Sequence, residues 1–198
     1  LTEWTGFTKR TDGLLLLGSG DATPDDSAIG IPGVPVAGDR EAAGDKRFTG
    51  LDGAWPGVGA EIGYNRVATW SSFDLVTAGH TWRVIVLDSG KARLGSRWNE
   101  QRNWIKRTVK GDYDNILLFM HDPILDLGGR DDAMNVGGGP AELLDLIESE
   151  TGMMKVQAVF GGGTHASQAL LPDGPFGTAH VNAGGGGAPA MALRRWGP

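Results

Sequence analysis

The chain has 198 residues, of which 40% are hydrophobic and 21% are charged, so it can bury one sizeable core but is short for two ordinary domains. We therefore treat residues 1–198 as one domain. The formal net charge of −6 and the scattered Lys and Arg residues argue against nucleic-acid binding. Every apolar run is far shorter than the roughly 20 residues of a membrane-spanning helix, so no membrane span is predicted. The chain has no cysteine, which excludes disulfides and thiolate ligands.

Short apolar runs that end in Gly, Asp or His predict strands followed by loops. In chain order, the predicted strands are Leu14–Leu17, Val34–Ala37, Val67–Leu75, Trp82–Leu87, Ile116–Met120 and Val156–Phe160. Apolar residues at helical spacing predict two helices, one between Ser96 and Val109 and one over Pro140–Glu150. Periodicity alone therefore predicts an α/β, loop-rich fold.

Glycine is unusually frequent, with 33 residues that lie mostly in clusters. Two long glycine- and proline-containing stretches, Asp21–Pro35 and Gly38–Tyr64, carry no strong periodicity and are predicted to be loops. We expect such loops to lie over one end of a sheet, where binding sites usually occur. The patterns around the seven tryptophans place Trp82, Trp98 and Trp104 in the core and leave Trp4, Trp55, Trp70 and Trp196 for exposed contacts.

Polar side chains follow four of the predicted strands: Asp21, Asp39, His121 and His165. Carboxylates and imidazoles that converge from separate strand ends can hold divalent cations, which activate water and polarise a phosphoryl oxygen. Each residue taken singly has a simpler interpretation. Asp39 suits a turn or a helix cap, His121 a partly buried histidine bonded to the backbone, and Asp21 a solvated loop acid.

The order of several segments resembles that of the calcineurin-like metallophosphoesterases, especially the purple acid phosphatase-like branch. The matching segments are Asp12–Asp21, Ile31–Glu41, Trp70–Ser89, Gln101–Ile105, Ile116–Pro123, Val159–His165 and Gly177–Pro189. For example, WSSFDLVTAGHTWRVIVLDS is similar to the family pattern YSFD…G…FI.LDS, and ILLFMHDP is similar to its hydrophobic-HHP strand end.

The resemblance implies an α/β fold of two packed mixed β-sheets flanked by helices, a metallophosphoesterase-like four-layer sandwich with its site on loops at one edge. The opening strand before Leu14 and the closing strands after Pro189 are missing from this pattern, so the fold is expected to be truncated at both ends. The resemblance also favours an extracytoplasmic location.

The departures from the family pattern fall at its metal ligands. No histidine precedes Leu14, so the opening D-x-H strand is not matched. An ungapped alignment puts Ser19 at the metal-bridging aspartate, and only a shift of two residues would let Asp21 serve instead. In the segment that corresponds to GNHE, Asp39 replaces the ligand asparagine and Arg40 replaces the catalytic histidine.

The two remaining ligand segments are partly kept. His121 is retained, whereas the segment that corresponds to GHxH has Gly163 in place of its first histidine and keeps His165. The implied remnant, Asp21, Asp39, His121 and His165, suits no resident cofactor, or at most one divalent metal such as zinc, iron or manganese.

Two functions follow from this remnant. The first is a catalytically impaired phosphoesterase domain used for binding or assembly, in which Arg40 lies near Asp39, Glu41 or an anion. The second is an active phosphoester hydrolase with an unusual single-metal site built from the four remnant residues.

The implied loss of strands predicts a partner. Strands that normally lie inside a sheet would become edges with unpaired backbone groups, and such edges recruit another chain. We expect Leu1–Arg10, Ala190–Pro198 or a second polypeptide or subunit to cover an edge, with Trp4 or Trp196 as an anchor.

Overall fold

The computed structural model describes the protein over residues 16–18, 33–36, 70–77, 79–125, 138–152, 154–163, 167–171 and 177–183. Its strands are β1 (Leu16–Gly18), β2 (Gly33–Pro35), β3 (Ser71–Thr77), β4 (His80–Val86), β5 (Asn115–Phe119), β6 (Val156–Gly161), β7 (Ser167–Leu170) and β8 (Ala179–Ala183). Its helices are α1 (Lys91–Leu94), α2 (Arg97–Thr108) and α3 (Gly139–Thr151). The described part is therefore α/β.

Six strands form one mixed sheet in the order β3-β4-β5-β6-β8-β7. Strands β4, β5, β6 and β8 are mutually parallel, while β3 and β7 run antiparallel to their single neighbours at the two ends. Helices α1 and α2 connect β4 to β5, and α3 lies between β5 and β6 in the chain. Because parallel strands need such crossovers, this order follows from the alternation of helix and strand in the sequence.

The main core lies between this sheet and the two long helices. Alternate residues along a strand point to the same face of the sheet. Ile85 and Leu87 therefore both face the helices. The fully buried apolar side chains of this core are Ile85, Leu87, Ile105, Ile116, Leu118, Leu143 and Ile147. Each such side chain contributes about 1.5–3 kcal/mol relative to an exposed one.

The opposite face of the sheet carries a smaller cluster. Val84 and Val86 of β4 are buried there with Val36, the residue after β2, and Phe73 packs against them. Val36 thus brings the end of the parallel β1-β2 pair onto this face. The two packed sheets expected from the family resemblance remain a prediction, because most residues between β1 and β3 lie outside the described ranges.

An arginine joins the β3-β4 hairpin to the end of α2. The Arg83 guanidinium donates from Nε and Nη2 to the Asp74 carboxylate at 2.8 Å each, and from Nη1 to the Thr108 carbonyl at 2.6 Å. It also lies 4.3 Å from the centre of the Tyr113 ring. The hydrogen bond from Arg83 lowers the pKa of Asp74, so the pair stays ionised at neutral pH and fixes the hairpin to the helix.

A glutamine of α2 holds the end of β4. The backbone N–H of Asp88 donates to Gln101 Oε1 and the Asp88 carbonyl accepts from Gln101 Nε2, both at 2.9 Å. Gln101 is 0% exposed. Its amide therefore pairs with the backbone as a neighbouring strand would, at the point where β4 gives way to a loop.

The sequence predicted the type of most elements. Six predicted strands and both predicted helices are present with shifted ends, and β3 is an edge strand of the described sheet. The short helix α1 and the strands β7 and β8 were not predicted. Trp98 lies in the core as predicted, whereas the expected exposure of Trp70 is wrong, because Trp70 is only 6% exposed and packs in the same core.

Several predictions concern residues that the structure does not describe. They are those for Trp4, Trp55, Trp196, Leu1–Arg10 and Ala190–Pro198. No helix of the described stretches is long and apolar enough to cross a membrane.

Replacing Gln101 with leucine should lower the free energy of unfolding by about 2–4 kcal/mol, because both Asp88 backbone groups lose their amide partner in a buried place. The measurement is urea unfolding at neutral pH. Asn103→Leu is the matched control, since Asn103 is exposed on the same helix and its replacement should change the value by less than about 0.5 kcal/mol. Equal midpoints for the two variants would contradict the role given to Gln101.

Candidate functional site

The parallel strands β4, β5, β6 and β8 end at the same edge of the sheet. After β4 come Asp88 and Ser89, after β5 come His121 and Asp122, and β6 ends at Gly161. Ligands of open α/β sheets bind outside the carboxyl ends of such strands. This edge, which we call the carboxyl edge, is therefore the candidate site.

His121 is the predicted site residue that the structure describes, and it lies at this edge. It is 5% exposed, and its carbonyl accepts hydrogen bonds from the backbone N–H groups of Gly162 and Gly163, both at 2.9 Å. The backbone of Met120 donates to the Phe160 carbonyl at 3.0 Å just before it. The turn after β6 is therefore fastened to the backbone of His121.

The imidazole of His121 lies directly against Gly163. A Cβ atom built on Gly163 would stand 2.9 Å from Nε2, 3.2 Å from Cδ2 and 3.3 Å from Cε1 of His121. Real Cβ atoms essentially never come within 3.0 Å of another heavy atom. With the ring in this position, residue 163 has room only for glycine.

Ser89 ties the ends of β4 and β5 together. Its hydroxyl donates to Asp122 Oδ2 at 2.7 Å and accepts from the Asp122 backbone N–H at 3.0 Å. The preceding carboxylate, Asp88 Oδ1, accepts from the N–H of Gly90 at 2.9 Å. The serine, although buried, thus serves to position a loop in this geometry, and Asp122 is the group that it orients.

Two close approaches and one amide fix the loops around these residues. A Cβ on Gly139 would lie 2.8 Å from the Ser89 carbonyl oxygen, so α3 begins against the loop after β4. A Cβ on Gly161 would lie 2.8 Å from the Pro123 Cα. Asn182 of β8, which is buried, donates from Nδ2 to the Leu125 carbonyl at 2.8 Å. These described parts of the loops at the carboxyl edge are therefore held by neighbours from other strands or helices.

An ion pair lies beside this edge, between α1 and the first turn of α3. Lys91 Nζ lies 2.5 Å from Glu142 Oε1, and this contact lowers the pKa of Glu142. Both side chains are 40% or more exposed, so the pair is screened by solvent and contributes little to stability. Its effect is to keep a negative charge on the first turn of α3, where the helix dipole favours it.

The remaining predicted site residues lie outside the described ranges. They are Asp21, Asp39, Arg40 and His165. The structure therefore places one member of the predicted ligand set, His121, at the carboxyl edge. Within the described ranges, no three His, Asp or Glu side chains lie close enough to hold a metal ion. His121 is a single imidazole, and a catalytic zinc site takes about three protein ligands, so a metal here would depend on the undescribed residues.

Sequence reasoning missed the residues that build the edge. Gln101 and Ser89 occur within segments that resemble the phosphoesterase family, but their hydrogen bonds depend on contacts 13 and 33 residues away along the chain. The one available signal for Gln101 was a polar residue between apolar positions of a helix. Asn182 and Gly161 gave no signal that separates them from ordinary loop residues.

No protein-family model matches the chain, and no curated protein sequence matches it. Among solved structures, one similar chain is GAP50, described as the anchor in the inner membrane complex of Plasmodium, with a TM-score of 0.65 and 15% identity over 94% of this chain. Another is the purple acid phosphatase PPD1 from yellow lupin (Lupinus luteus) seeds, with a TM-score of 0.64 and 18% identity over 100% of this chain.

These likenesses show the fold. The chain spans 66% of the GAP50 chain and 41% of the phosphatase chain. The phosphoesterase-like fold expected from the resemblance is thus supported by two solved structures at low sequence identity.

Replacing Gly163 with alanine should displace the His121 ring and lower the free energy of unfolding by about 1–3 kcal/mol, the usual cost of overpacking. The ring displacement is measured as a change in the NMR shifts of the His121 imidazole. Gly138→Ala is the matched control, because a Cβ there meets no atom within 4 Å. If the two variants have the same His121 NMR shifts and the same free energy of unfolding, the ring does not lie against residue 163 in solution.

Proposed function

We propose that the chain is a phosphoesterase-like domain that is catalytically impaired and acts in binding or assembly. The observation that carries this proposal is the contact between the His121 imidazole and Gly163 at the carboxyl edge. In the phosphoesterases that the sequence resembles, a histidine stands where this chain has Gly163.

The contact opposes metal binding because the ring fills volume, not because it carries a charge. A ligand at position 163 would need a Cβ, and a Cβ there would meet Nε2 of His121 at 2.9 Å. The ring therefore occupies the room that a second ligand would require. Loss of the ligand and inward packing of the neighbouring ring are consistent with a site that no longer has to hold a metal pair.

Arg40 supports the same proposal from the sequence. A guanidinium stays protonated in proteins, so it cannot serve as a general acid or base where the family has its catalytic histidine. Its fixed positive charge would repel a cation and attract an anion or a carboxylate such as Asp39 or Glu41.

The fold leaves both functions open, since one fold can host catalysis in one protein and assembly in another. One of the two similar structures is a phosphatase, and the other is described as an anchor in a membrane complex. Because the chain covers only part of either, neither description can be transferred directly. The choice between these two functions therefore rests on the residues at the carboxyl edge.

The alternative is an active hydrolase with one zinc, iron or manganese ion held by Asp21, Asp39, His121 and His165. Its specific support is the position of His121, which ends a central parallel strand where ligands of such sheets bind. In that case the metal would supply activated water and polarise the phosphoryl oxygen.

Metal content and hydrolysis separate these two functions. The protein purified in the presence of zinc, iron and manganese should carry well under one metal equivalent by elemental analysis. It should hydrolyse an aryl phosphate no faster than His121→Ala does, because the ligand set is incomplete. Arg40→His alone should not restore activity. Two bound metals, together with hydrolysis that His121→Ala abolishes, would establish an active enzyme instead.

An assembly role needs a surface, and the β3 edge of the sheet is the candidate. The outer half of β3, from Asp74 to Thr77, is exposed, and Val76 is 76% exposed. The strand contains no proline or lysine of the kind that blocks edge pairing, and its one charge, Asp74, is paired with Arg83. We propose that a protein partner or a second subunit adds a strand here.

Light scattering tests this edge. The expected result for the wild-type chain is a mass above that of the monomer, and Val76→Lys should reduce it, because lysine opposes strand addition. Met154→Lys is the matched control, since Met154 is a 64% exposed apolar residue that lies between α3 and β6 rather than on an edge strand. A monomeric wild type would contradict a partner at this edge and would favour its coverage by the chain's own termini. Equal effects of the two lysine substitutions on the mass would exclude a β3 interface.

A further inference from the structure

His180 lies in β8, one strand from the end of the sheet and apart from the carboxyl edge. In the β-ladder it is in register with Val159 of β6 on one side and with Leu170 of β7 on the other. Residues in register share a face of the sheet. The imidazole therefore stands between two apolar neighbours.

The buried nitrogen of this ring has no acceptor. His180 Nδ1 is buried and makes no hydrogen bond within the described part of the chain. A neutral imidazole can leave Nδ1 as a bare lone pair, but an imidazolium has N–H donors at both nitrogens. A buried donor without an acceptor loses its hydrogen bond to water and gains none in the protein, so it destabilises the closed form. In agreement, burial lowers the pKa of His180.

The described charged groups near His180 do not compensate this cost. β6 and β7 bring Val159 and Leu170 into register with it, and neither carries a charge. From α3, Glu148 reaches β8 at Thr178, whose hydroxyl lies 3.4 Å from Glu148 Oε1. Burial raises the pKa of Glu148, the hydrogen bond from Thr178 lowers it, and Asp145 adds to the rise. The described hydrogen bond of this carboxyl is with Thr178 rather than with the imidazole.

The strand beside His180 is weakly attached. β7 has four residues, and within the described sheet it pairs only with β8. Leu170 pairs with His180 at one end of this short ladder, and the next residue, Leu171, is exposed. A short edge strand of this kind opens with a smaller free energy than the centre of the sheet.

We propose that His180 is an acid-sensitive latch of the β7–β8 edge, whose protonation at Nδ1 releases β7 from the sheet. In the closed form the neutral ring packs between Val159 and Leu170. When Nδ1 takes a proton from solvent, it becomes a donor that needs an acceptor. Opening of β7 exposes that nitrogen to water, which accepts the hydrogen bond. This device does not depend on whether the carboxyl edge is catalytic.

The direction with pH follows from the lowered pKa of His180 in the closed form. The latch has its full strength above the pKa of an exposed histidine, about 6.5. It weakens as pH falls from there towards the lower pKa of the closed form, because the open form binds the proton more tightly. Glu148 acts in the opposite sense, since its raised pKa favours the closed form as pH falls. Its effect begins as pH falls to the raised pKa of Glu148 and is complete below the ordinary glutamate value of about 4.3.

The experiment is amide hydrogen exchange followed by NMR between about pH 7.5 and 5.5, alongside titration of the four histidine rings. After correction for intrinsic rates, the amides of β7 should lose up to about tenfold in protection, because pH 5.5 lies about one unit below the ordinary histidine pKa of about 6.5. Amides of β5 at the centre of the sheet should keep theirs. The titration midpoint of the His180 ring should lie below the ordinary histidine value of about 6.5.

Two variants complete the test. His180→Phe keeps an aromatic ring but cannot titrate, so the β7 amides should become independent of pH in this range. His80→Gln, which removes an exposed histidine, should behave like the wild type. If His180→Phe does not fold, the wild-type data decide alone. Equal loss of protection in β5 and β7, or an ordinary midpoint for His180 with unchanged β7 protection, would overturn the latch.

Discussion

The pairing of one helix side chain with the backbone of one strand end governs the geometry of the carboxyl edge. Gln101 offers a donor and an acceptor to Asp88 at the place where β4 loses its neighbouring strand as a partner. With Asp88 fixed, Ser89 can reach Asp122, and α3 can begin against the Ser89 carbonyl. A single amide thus positions the loop that contacts both the end of β5 and the start of α3, because the Ser89–Asp122 and Ser89–Gly139 contacts both depend on that loop.

The central part of the fold could be predicted because its pattern is strong. Apolar runs such as Ile116–Met120 are flanked by polar or turn residues, and the helices between them keep an apolar stripe. The strands β7 and β8 gave no such pattern. They are four and five residues long, and β8 alternates histidine and asparagine with small apolar residues. Their position depends on pairing with each other and with β6, which no local window contains.

The types of residue in the candidate site could be predicted from the sequence, but only some of their positions could. His121 follows a buried strand, so its location at the carboxyl edge was derivable from the sequence. Asp21 and Asp39 belong to glycine- and proline-containing stretches without periodicity, and such stretches are positioned by tertiary contacts rather than by local preference. The relation between Gly163 and His121 was not derivable either, since a glycine in sequence is ordinarily a turn and reveals nothing about which side chain covers it.

The strand order also has a consequence for synthesis of the chain. From β4 to β6 each strand pairs with the one made just before it, so this part of the sheet can grow in step with elongation on the ribosome. Strand β7 breaks the sequence, because in the described sheet its partner is β8, which is made after it. The nascent chain must therefore hold β7 without a strand partner until β8 has been made, because β7 pairs with no earlier strand of the described sheet.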